Sequence, residues 1–402
     1  MLTGLTSGHY YHFVIKANNK NGSSPVSSVV ENVQPTAGGF VANPIDAYNA
    51  GVCKIQPDKS VKCVGRNLQK AFNDANTNDV MTPMDVFGTT SAESIDYDYN
   101  KLTLLKSDFT YEHRGFNDGY NTKTSPVALG GSNQPTMIQQ GNNFVAYLRD
   151  DGVIRTRGRN LYGQLGTGTN LDIDSGTLTG EVLGISTATQ ITVAQWNTCA
   201  LLSNGQVWCA GVGALGENGD GTTNDRNSPV QVDLPSDTAV KIFGSSRSLA
   251  AVLSNGKAYG WGDNNGSRIK CTSNQNDVST PVQITSFTNV KEIDYGTFHS
   301  VILTDEGKVY TCGRVYANSN VAGNATFLST ISGNYAATNG PILMDGDWQG
   351  RAIHVRATGT NNFVMLDNGS VVCVGSNSNG QCSPNGTIGT GYQTTPIIIP
   401  GL

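Results

Sequence analysis

The chain has 402 residues, of which 48 are glycine and only 14% are charged. This composition favours turn-rich β structure over helical bundles. A formal net charge of -5 without any basic run argues against nucleic acid and anionic membrane surfaces as partners. No stretch comes near the roughly 18 consecutive apolar residues of a membrane helix, so we expect no direct membrane insertion.

Residues 1–38 have the pattern of three β-strands and a short linker. Apolar side chains alternate at Tyr11, Phe13 and Ile15, and a glycine, Gly22, follows where a turn is expected. The stretch resembles the C-terminal half of a fibronectin type III domain, a β-sandwich. Three strands without an opposing sheet would expose an apolar face. We therefore expect a longer natural protein upstream; the alternative is that a neighbouring molecule supplies the missing sheet, which would allow self-assembly.

Residues 39–402 contain seven copies of one hairpin pattern, spaced 43 to 62 residues apart. Each copy has an apolar strand, a tight turn that is often Asp-Gly or Asn-Gly, an alternating strand and a closing glycine. The closing glycines are Gly65, Gly115, Gly158, Gly211, Gly262, Gly313 and Gly375. A Pro-led apolar strand follows every copy except the third. Such units bury their faces by radial packing, so the repeat predicts an all-β fold, a seven-bladed β-propeller.

The ends of the propeller must meet for the ring to close. The chain enters the first blade near Phe40 without a preceding Pro-led strand, and it ends in TTPIIIPGL. We predict that Ile397 to Ile399 complete the first blade, which would join the two ends non-covalently and leave no open sheet edge.

Several motifs carry a family resemblance. They are GRNLYGQLGTG at residues 158–168, GDGTTNDR at residues 219–226 with Ser228-Pro229-Val230 after it, and GTFHS at residues 296–300. These motifs resemble the repeat of the regulator of chromosome condensation family, whose members are seven-bladed propellers. By analogy with the regulator itself, the resemblance implies nucleotide exchange on a small GTPase.

The stretch CALLSNGQVWCAG begins at Cys199 and carries a second cysteine, Cys209, ten residues later. If residues 203–205 form a three-residue loop with a left-handed glycine, counting outward makes the two cysteines face each other. They form a non-hydrogen-bonded pair, in which a disulfide fits. The first hairpin gives the same count for Cys53 and Cys63. Two independent hairpins thus predict two disulfides.

The other four cysteines are assigned by spacing. Cys373 and Cys382 lie nine residues apart, which leaves Cys271 for Cys312 across neighbouring blades. Eight cysteines with none left over indicate an oxidising compartment, and hence an extracellular or cell-surface location. Reduced thiols in the core of a cytosolic propeller are the alternative.

The sequence offers no catalytic constellation and no cofactor motif. A Gly-x-Ser-x-Gly elbow and a Cys-x-x-Cys pair are both absent, and the five histidines are scattered. We expect His299 to be a structural residue of the repeat. Trp196 and Trp348 precede hairpins and could line a rim, but we expect both in the core. The protein is therefore predicted not to be an enzyme.

One loop approximates the ligand spacing of a calcium site. Asn170, Asp172 and Asp174 alternate along the chain, and Glu181 follows eleven residues after the first. The nearby Gly176 comes one place late, so an ordinary polar loop of the repeat is the alternative.

These observations favour a non-enzymatic extracellular module that presents propeller loops to a protein or glycan, in an adhesin-like or filament-forming protein. One alternative is a secreted propeller-type enzyme inhibitor, because a bacterial β-lactamase inhibitory protein is similar in using such a propeller. The other is an intracellular exchange factor for a small GTPase.

Overall fold

The computed structural model describes most of the propeller and four short N-terminal strands. The described residues are 11–13, 18–19, 22–23, 30–33, 43–48, 50–67, 71–72, 78–86, 90–98, 101–114, 127–128, 133–173, 180–316, 321–330, 335–338, 340–346, 348–382 and 391–402.

The chain divides into two compact units, Met1–Val41 and Ala42–Leu402. In the first unit two strand pairs are antiparallel: Tyr11–Phe13 with Val30–Val33, and Asn18–Asn19 with Gly22–Ser23. The rest of this unit lies outside the described residues. The fibronectin-like half-domain over residues 1–38 therefore stays a prediction.

The second unit is a seven-bladed propeller, as the repeat predicts. Seven antiparallel sheets follow one another along the chain, and each is one blade. The first strands of neighbouring blades contact one another, so the first strand of each blade is the inner one and the last is the outer one.

The strand bounds, from inner to outer, are as follows. Blade 1 has Ile45–Tyr48, Gly51–Ile55, Val61–Gly65 and Val80–Asp85, and blade 2 has Ala92–Asp98, Lys101–Lys106, Thr110–Arg114 and Val127–Ala128. Blade 3 has Pro135–Gly141, Phe144–Arg149, Ile154–Gly158 and Gly180–Glu181, and blade 4 has Ala188–Ala194, Asn197–Leu202, Val207–Gly211 and Arg226–Gln231. Blade 5 has Ala239–Ser245, Ser248–Leu253, Ala258–Gly262 and Val278–Gln283. Blade 6 has Val290–Tyr295, His299–Thr304, Val309–Tyr316 and, paired with the third strand, Tyr335–Ala337 and Ile342–Leu343. Blade 7 has Ala352–Ala357, Asn361–Leu366, Val371–Ser376 and Tyr392–Ile399.

Helical structure is sparse in the described part of the chain. It consists of the 3-10 turn Asn265–Ser267 and the short helix Ala325–Ser329. In the same residues, no helix is long and apolar enough to cross a bilayer.

The predicted ring closure is wrong. Tyr392–Ile399 pairs with the third strand of blade 7, with Cys373 opposite Ile397, while blade 1 has four strands of its own. The reason is that in every blade the strand that follows the third strand pairs with it, so the last strand completes the seventh blade. The ring closes instead by side-chain packing, through a buried cluster that includes Ile45, Phe363 and Ile399.

The hairpin loops have the geometry that the cysteine spacing predicts. The N–H groups of Leu202 and Gly205 donate to the carbonyls of Gln206 and Leu202 at 2.9 Å each, and Gly205 has a φ of 81°. The structure contains four disulfides, which join the pairs assigned from the sequence. They are Cys53–Cys63, Cys199–Cys209, Cys271–Cys312 and Cys373–Cys382.

Apolar side chains fill the space between blades. The largest described cluster spans blades 4 to 6 and includes the fully buried Leu249, Trp261 and Ile302. Because each blade packs on two neighbours, the loops at either end of the blades are held on a rigid ring.

Candidate functional site

The propeller has two chemically distinct faces. In an antiparallel four-stranded blade, the turn from the first to the second strand and the loop from the third to the outer strand emerge at the same end. We call the surface formed by these segments the loop face. The three-residue hairpins between the second and third strands lie on the opposite side, which we call the hairpin face. The loop face carries the long connections between the third and outer strands.

Glycines anchor the long loops to the first turns. Gly211 ends the third strand of blade 4 with a φ of 123°, and an added Cβ would lie 2.1 Å from the carbonyl oxygen of Trp196. That same carbonyl accepts the N–H of Val212 at 3.1 Å. The closing glycines of five further blades have the same positive φ; they are Gly65, Gly158, Gly262, Gly313 and Gly375. Only glycine allows the strand to leave the sheet against the neighbouring backbone.

A repeated Asn and Asp fix the start and end of the loops. In blade 5, the Oδ1 of Asn264 accepts the N–H of Ile269 at 2.9 Å, and the Oδ1 of Asp277 accepts the N–H of Asn264 at 3.0 Å. The equivalent carboxylates in blades 1, 3 and 4 accept backbone N–H groups at 2.7–3.2 Å; they are Asp79, Asp172 and Asp225. These side chains replace regular secondary structure as partners of buried backbone groups.

Three of the four calcium candidates form hydrogen bonds or ion pairs with other residues of the chain. Asp172 accepts the N–H of Asn160 at 2.7 Å, Glu181 pairs with Arg155 at 2.9 Å, and the amide of Asn170 donates to the carbonyl of Leu161 at 3.0 Å. Asp174 lies outside the described residues. Among those that are described, no group of three or more His, Cys, Asp or Glu side chains could hold a metal ion.

One aromatic cluster lies on the loop face between blades 3 and 5. The ring of Trp196 lies 5.6 Å from that of Tyr162, and the guanidinium of Arg247 lies over it at 5.3 Å. The expectation that Trp196 is a core residue is wrong, because it occupies a first turn and stays partly exposed. Trp348 is also partly exposed but packs on the apolar cluster of blades 6 and 7.

This cluster contains its own carboxylate. Arg247 forms an ion pair with Glu217, a loop residue whose side chain is fully buried. Burial raises the pKa of Glu217, although Arg247 opposes the shift. We call Tyr162, Trp196, Arg247 and Glu217 the blade 4 cluster.

Blade 6 carries an extension on the loop face that has no counterpart among the described residues of the other blades. Its third strand, Val309–Tyr316, has eight residues, whereas the third strands of the other blades have five or six. The additional residues pair with Tyr335–Ala337. On one side Val315 is buried against loop residues such as Val321. We call residues 314–316 and 335–337 the blade 6 extension.

The other side of the extension is aromatic and partly exposed. The guanidinium of Arg314 lies 5.1 Å from the ring centre of Phe298 and 4.8 Å from that of Tyr335. Tyr316 packs edge-on against both rings, at 6.0 and 5.8 Å. Tyr335 is 51% exposed. Arg314 also donates to the side-chain oxygen of Gln275 at 2.8 Å.

A polar belt links the inner strands of neighbouring blades. Side-chain oxygens on one inner strand accept backbone N–H groups of the next at 2.7–3.0 Å. These bonds join Asp46 to Tyr97, Gln139 to Val193, Gln190 to Ile242, and Asp294 to Ala357. Near the ring closure, Arg356 bonds Asp46 at 3.0 Å and Glu292 at 2.5 Å.

Burial and Arg356 shift the pKa values of two carboxyl groups of this belt in opposite directions. Burial raises the pKa of Asp294 to about 7, against the attraction of Arg356. Burial would also raise the pKa of Glu292, but Arg356 and His354 outweigh it and hold that pKa at about 2. The charged groups of the belt are thus paired around Arg356, and we assign them a structural role.

Comparisons with known proteins identify the type of repeat. Residues 255–303 and 290–320 match models of the regulator of chromosome condensation (RCC1) repeat. The chain is therefore a seven-bladed propeller that carries RCC1 repeats.

Solved structures share this fold over most of the chain. Human WBSCR16 is 18% identical with a TM-score of 0.65, and the alignment covers 81% of this chain and 87% of that one. Prp20p of Saccharomyces cerevisiae is 15% identical with a TM-score of 0.65, covering 78% and 80%. Yeast RCC1 (Prp20) in a structure with Kap60 gives a TM-score of 0.69 at 14% identity, covering 92% and 88%. At these identities the likeness shows the fold alone.

Curated relatives match only part of the chain. The E3 ubiquitin-protein ligase HERC2 of Homo sapiens is 28% identical over 183 residues, which are 44% of this chain and 4% of that protein. The ultraviolet-B receptor UVR8 of Arabidopsis thaliana is 26% identical over 185 residues, or 44% of this chain and 41% of the receptor. The chain thus matches less than half the length of either relative.

Proposed function

We propose that this protein is a non-enzymatic binding module that engages a partner protein through its loop face. The observation that carries the proposal is the blade 6 extension, where tyrosine, phenylalanine and arginine side chains form one partly exposed surface. Tyrosine, phenylalanine and arginine are enriched at protein interfaces, and tyrosine and arginine are among the residues whose truncation costs the most binding free energy. A rigid ring below them limits the cost of ordering the surface on binding.

The known proteins support a binding role. Prp20p of Saccharomyces cerevisiae binds Gsp1p and histones, and Kap60 binds yeast RCC1 (Prp20). We extend to this chain only the use of such a propeller for binding proteins. A glycan as partner remains the alternative that the exposed aromatic rings also fit.

Substitution of exposed residues on opposite faces tests this proposal. Tyr335 on the loop face is 51% exposed, and Val240, at the hairpin-face end of an inner strand, is 50% exposed. With a partner protein isolated from the native source, we expect Tyr335→Ser to weaken binding at least about tenfold. The matched variant Val240→Ser should bind as the wild type does. The opposite pattern would place the interface on the hairpin face and contradict the proposal.

We further propose an extracellular or cell-surface setting, in a larger protein with fibronectin-like strands ahead of the propeller. Four disulfides support it, because such bonds persist mainly in oxidising compartments. A secreted inhibitor would use the same loop face, and self-assembly through the N-terminal strands would add a second contact.

An intracellular exchange factor is the second candidate. The RCC1 repeats and the binding of Gsp1p by Prp20p favour it. The two settings differ in thiol chemistry, so the free thiols of the protein purified from its native source should be counted after denaturation without reductant. We expect none. Eight reactive thiols would favour the intracellular candidate.

A further inference from the structure

Arg314 is a partly buried cation that has no anionic partner among the described residues. Its guanidinium contacts Phe298, Tyr335 and the neutral amide of Gln275, and its buried Nε has no hydrogen-bond partner. In the part of the chain that the structure describes, no carboxylate pairs with it. Residues 315–344 contain no Asp, Glu, Lys, Arg or His at all. The long loop beside Arg314 therefore has no carboxylate to offer.

The blade 4 cluster shows the same arrangement in a completed form. There the guanidinium of Arg247 also lies over an aromatic ring, that of Trp196, but the chain itself supplies a buried carboxylate, Glu217. Both the blade 4 cluster and the blade 6 extension place an arginine over an aromatic ring. Only the blade 4 cluster also supplies a carboxylate to that arginine.

The aromatic rings around Arg314 determine the direction from which a ligand can bind its guanidinium group. Rings that cover the faces of a guanidinium leave its N–H donors pointing outward in the plane. Two parallel N–H groups match the two oxygens of a carboxylate, and this charged, bidentate geometry is among the strongest polar contacts in proteins. The aromatic contacts also fix the side chain in advance, so less entropy is lost when a ligand binds.

We propose that Arg314 binds a carboxylate of an acidic segment in the partner protein, with Tyr316 and Tyr335 packing beside that segment. This inference rests on the proposed function, because it assigns the partner chemistry of the same loop face. The neighbouring residues suit a protein ligand. Residues 315–344 contain five Asn, three Ser and three Gly, residue types that in antibody paratopes supply adaptable hydrogen bonds around rigid aromatic anchors such as tyrosine.

A random peptide library displayed on phage, selected against the full chain, provides the probe. We expect the selected peptides to be enriched in Asp and Glu, and synthetic copies to lose affinity when the acidic residue is changed to its amide. Arg314→Gln should weaken these peptides at least about tenfold, and Arg314→Lys should restore only part of the loss because ammonium lacks the planar fork. Arg159→Gln is the matched control: Arg159 is an exposed loop-face arginine outside any aromatic cluster, and its loss should change little.

The outcomes separate the two proposals. Peptides that bind through Tyr335 without a preference for acids, and that bind Arg314→Gln as well as the wild type, would overturn the carboxylate site and leave the loop-face function standing. Selected peptides that are insensitive to both Tyr335→Ser and Arg314→Gln, or a library that yields no binder, would count against both. If Arg314→Gln fails to fold, judged by its thermal melting, the acid-to-amide peptide pairs on the wild-type chain still decide the question.

Discussion

At the scale of single residues, glycine determines where each blade ends. The third strand must turn away beneath a backbone carbonyl of the first turn, and a side chain at this point would occupy the space of that oxygen. In blade 4 the two groups are Gly211 and the carbonyl of Trp196. The sequence marks these positions clearly because no other residue combines a positive φ with so close an approach.

Gly211→Ala should therefore be strongly destabilising. The added Cβ would lie 2.1 Å from a backbone oxygen, so the strand has to shift, and the positive φ adds strain. We expect a loss of at least about 3 kcal/mol in the free energy of unfolding, measured with urea. Gly184→Ala is the control, since Gly184 also has a positive φ, 71°, but no atom within 4 Å of an added Cβ. It should lose only about 1 kcal/mol. Equal losses would show that steric contact is unimportant at Gly211.

His299 links two blades by a buried hydrogen bond. Its Nε2 lies 2.9 Å from the Oδ1 of Asn362, whose amide donates to the hydroxyl of Thr311 and the carbonyl of Val321. The sequence predicts a structural histidine here. Its partner lies 63 residues away in the next blade, and no local pattern identifies it.

The stability of the fold should depend on the protonation of His299. Burial lowers its pKa from 6.5 to about 4, so its contribution is complete above pH 6.5 and is lost as the pH falls from 6.5 towards 4. The loss is about 3 kcal/mol. Asp294 acts oppositely, because its raised pKa of about 7 makes the fold more stable as the pH falls from 7 towards 3.8.

The difference between wild type and His299→Gln isolates the histidine, since Asp294 is common to both. We expect the free energy of unfolding of the wild type, relative to that of the variant, to fall by about 3 kcal/mol between pH 6.5 and pH 4, because the wild type has one more group that takes up a proton on unfolding. Parallel pH profiles for the two proteins would show that His299 does not titrate with folding.

At the scale of elements, the blade is the unit that the sequence encodes. Paired cysteines and three-residue turns fix the hairpin register, which is why the strand partners of Cys199 and Cys53 are predictable. The assignment of Ile397 to Ile399 to blade 1 failed because the spacing of Pro-led strands does not say which neighbouring hairpin they join. Outer strands that carry proline also limit further pairing at the exposed edge.

The blade 6 extension is the element that sequence patterns missed. Its loop contains no charge after Arg314 and no alternating run long enough to predict strands. The available signal was its length, since the closing glycine Gly313 lies 29 residues before the outer strand at Ile342, against 15 residues from Gly211 to Arg226. Long loops on a rigid scaffold are where function is expected.

The disulfides should differ in their effect on stability. Cys199–Cys209 closes a loop of 10 residues and Cys271–Cys312 one of 41. In the chain-entropy estimate these contribute about 3 and about 4 kcal/mol. All four sulfurs are buried, so replacing each pair with alanine leaves comparable cavities. We expect the Cys271→Ala/Cys312→Ala protein to have the lower urea midpoint. The reverse order would show that loop entropy does not dominate.

At the scale of the whole molecule, the ring has to hold its two ends together without a shared sheet. Apolar packing around Ile45 and Phe363 supplies part of this contact. Polar contacts add to it: Arg356 of blade 7 reaches both Asp46 of blade 1 and Glu292 of blade 6, and Lys54 of blade 1 donates to the carbonyl of Leu402 at 3.2 Å. The Arg356 side chain thus bonds three consecutive blades at the closure.

Removal of Arg356 should therefore open the ring before it unfolds the remaining blades. Arg356→Gln removes the cation that Asp46 and Glu292 share, which we expect to cost about 3–5 kcal/mol. Hydrogen exchange should show protection lost first in Ile45–Tyr48 and Ala352–Ala357, while the inner strand Ala188–Ala194 on the far side of the ring stays protected. Arg149→Gln is the control, because Arg149 pairs with Asp151 in a more exposed position and should lose less than about 1 kcal/mol. Uniform loss of protection around the ring in Arg356→Gln would mean that the propeller unfolds as one unit and that this arginine has no special role in closing it.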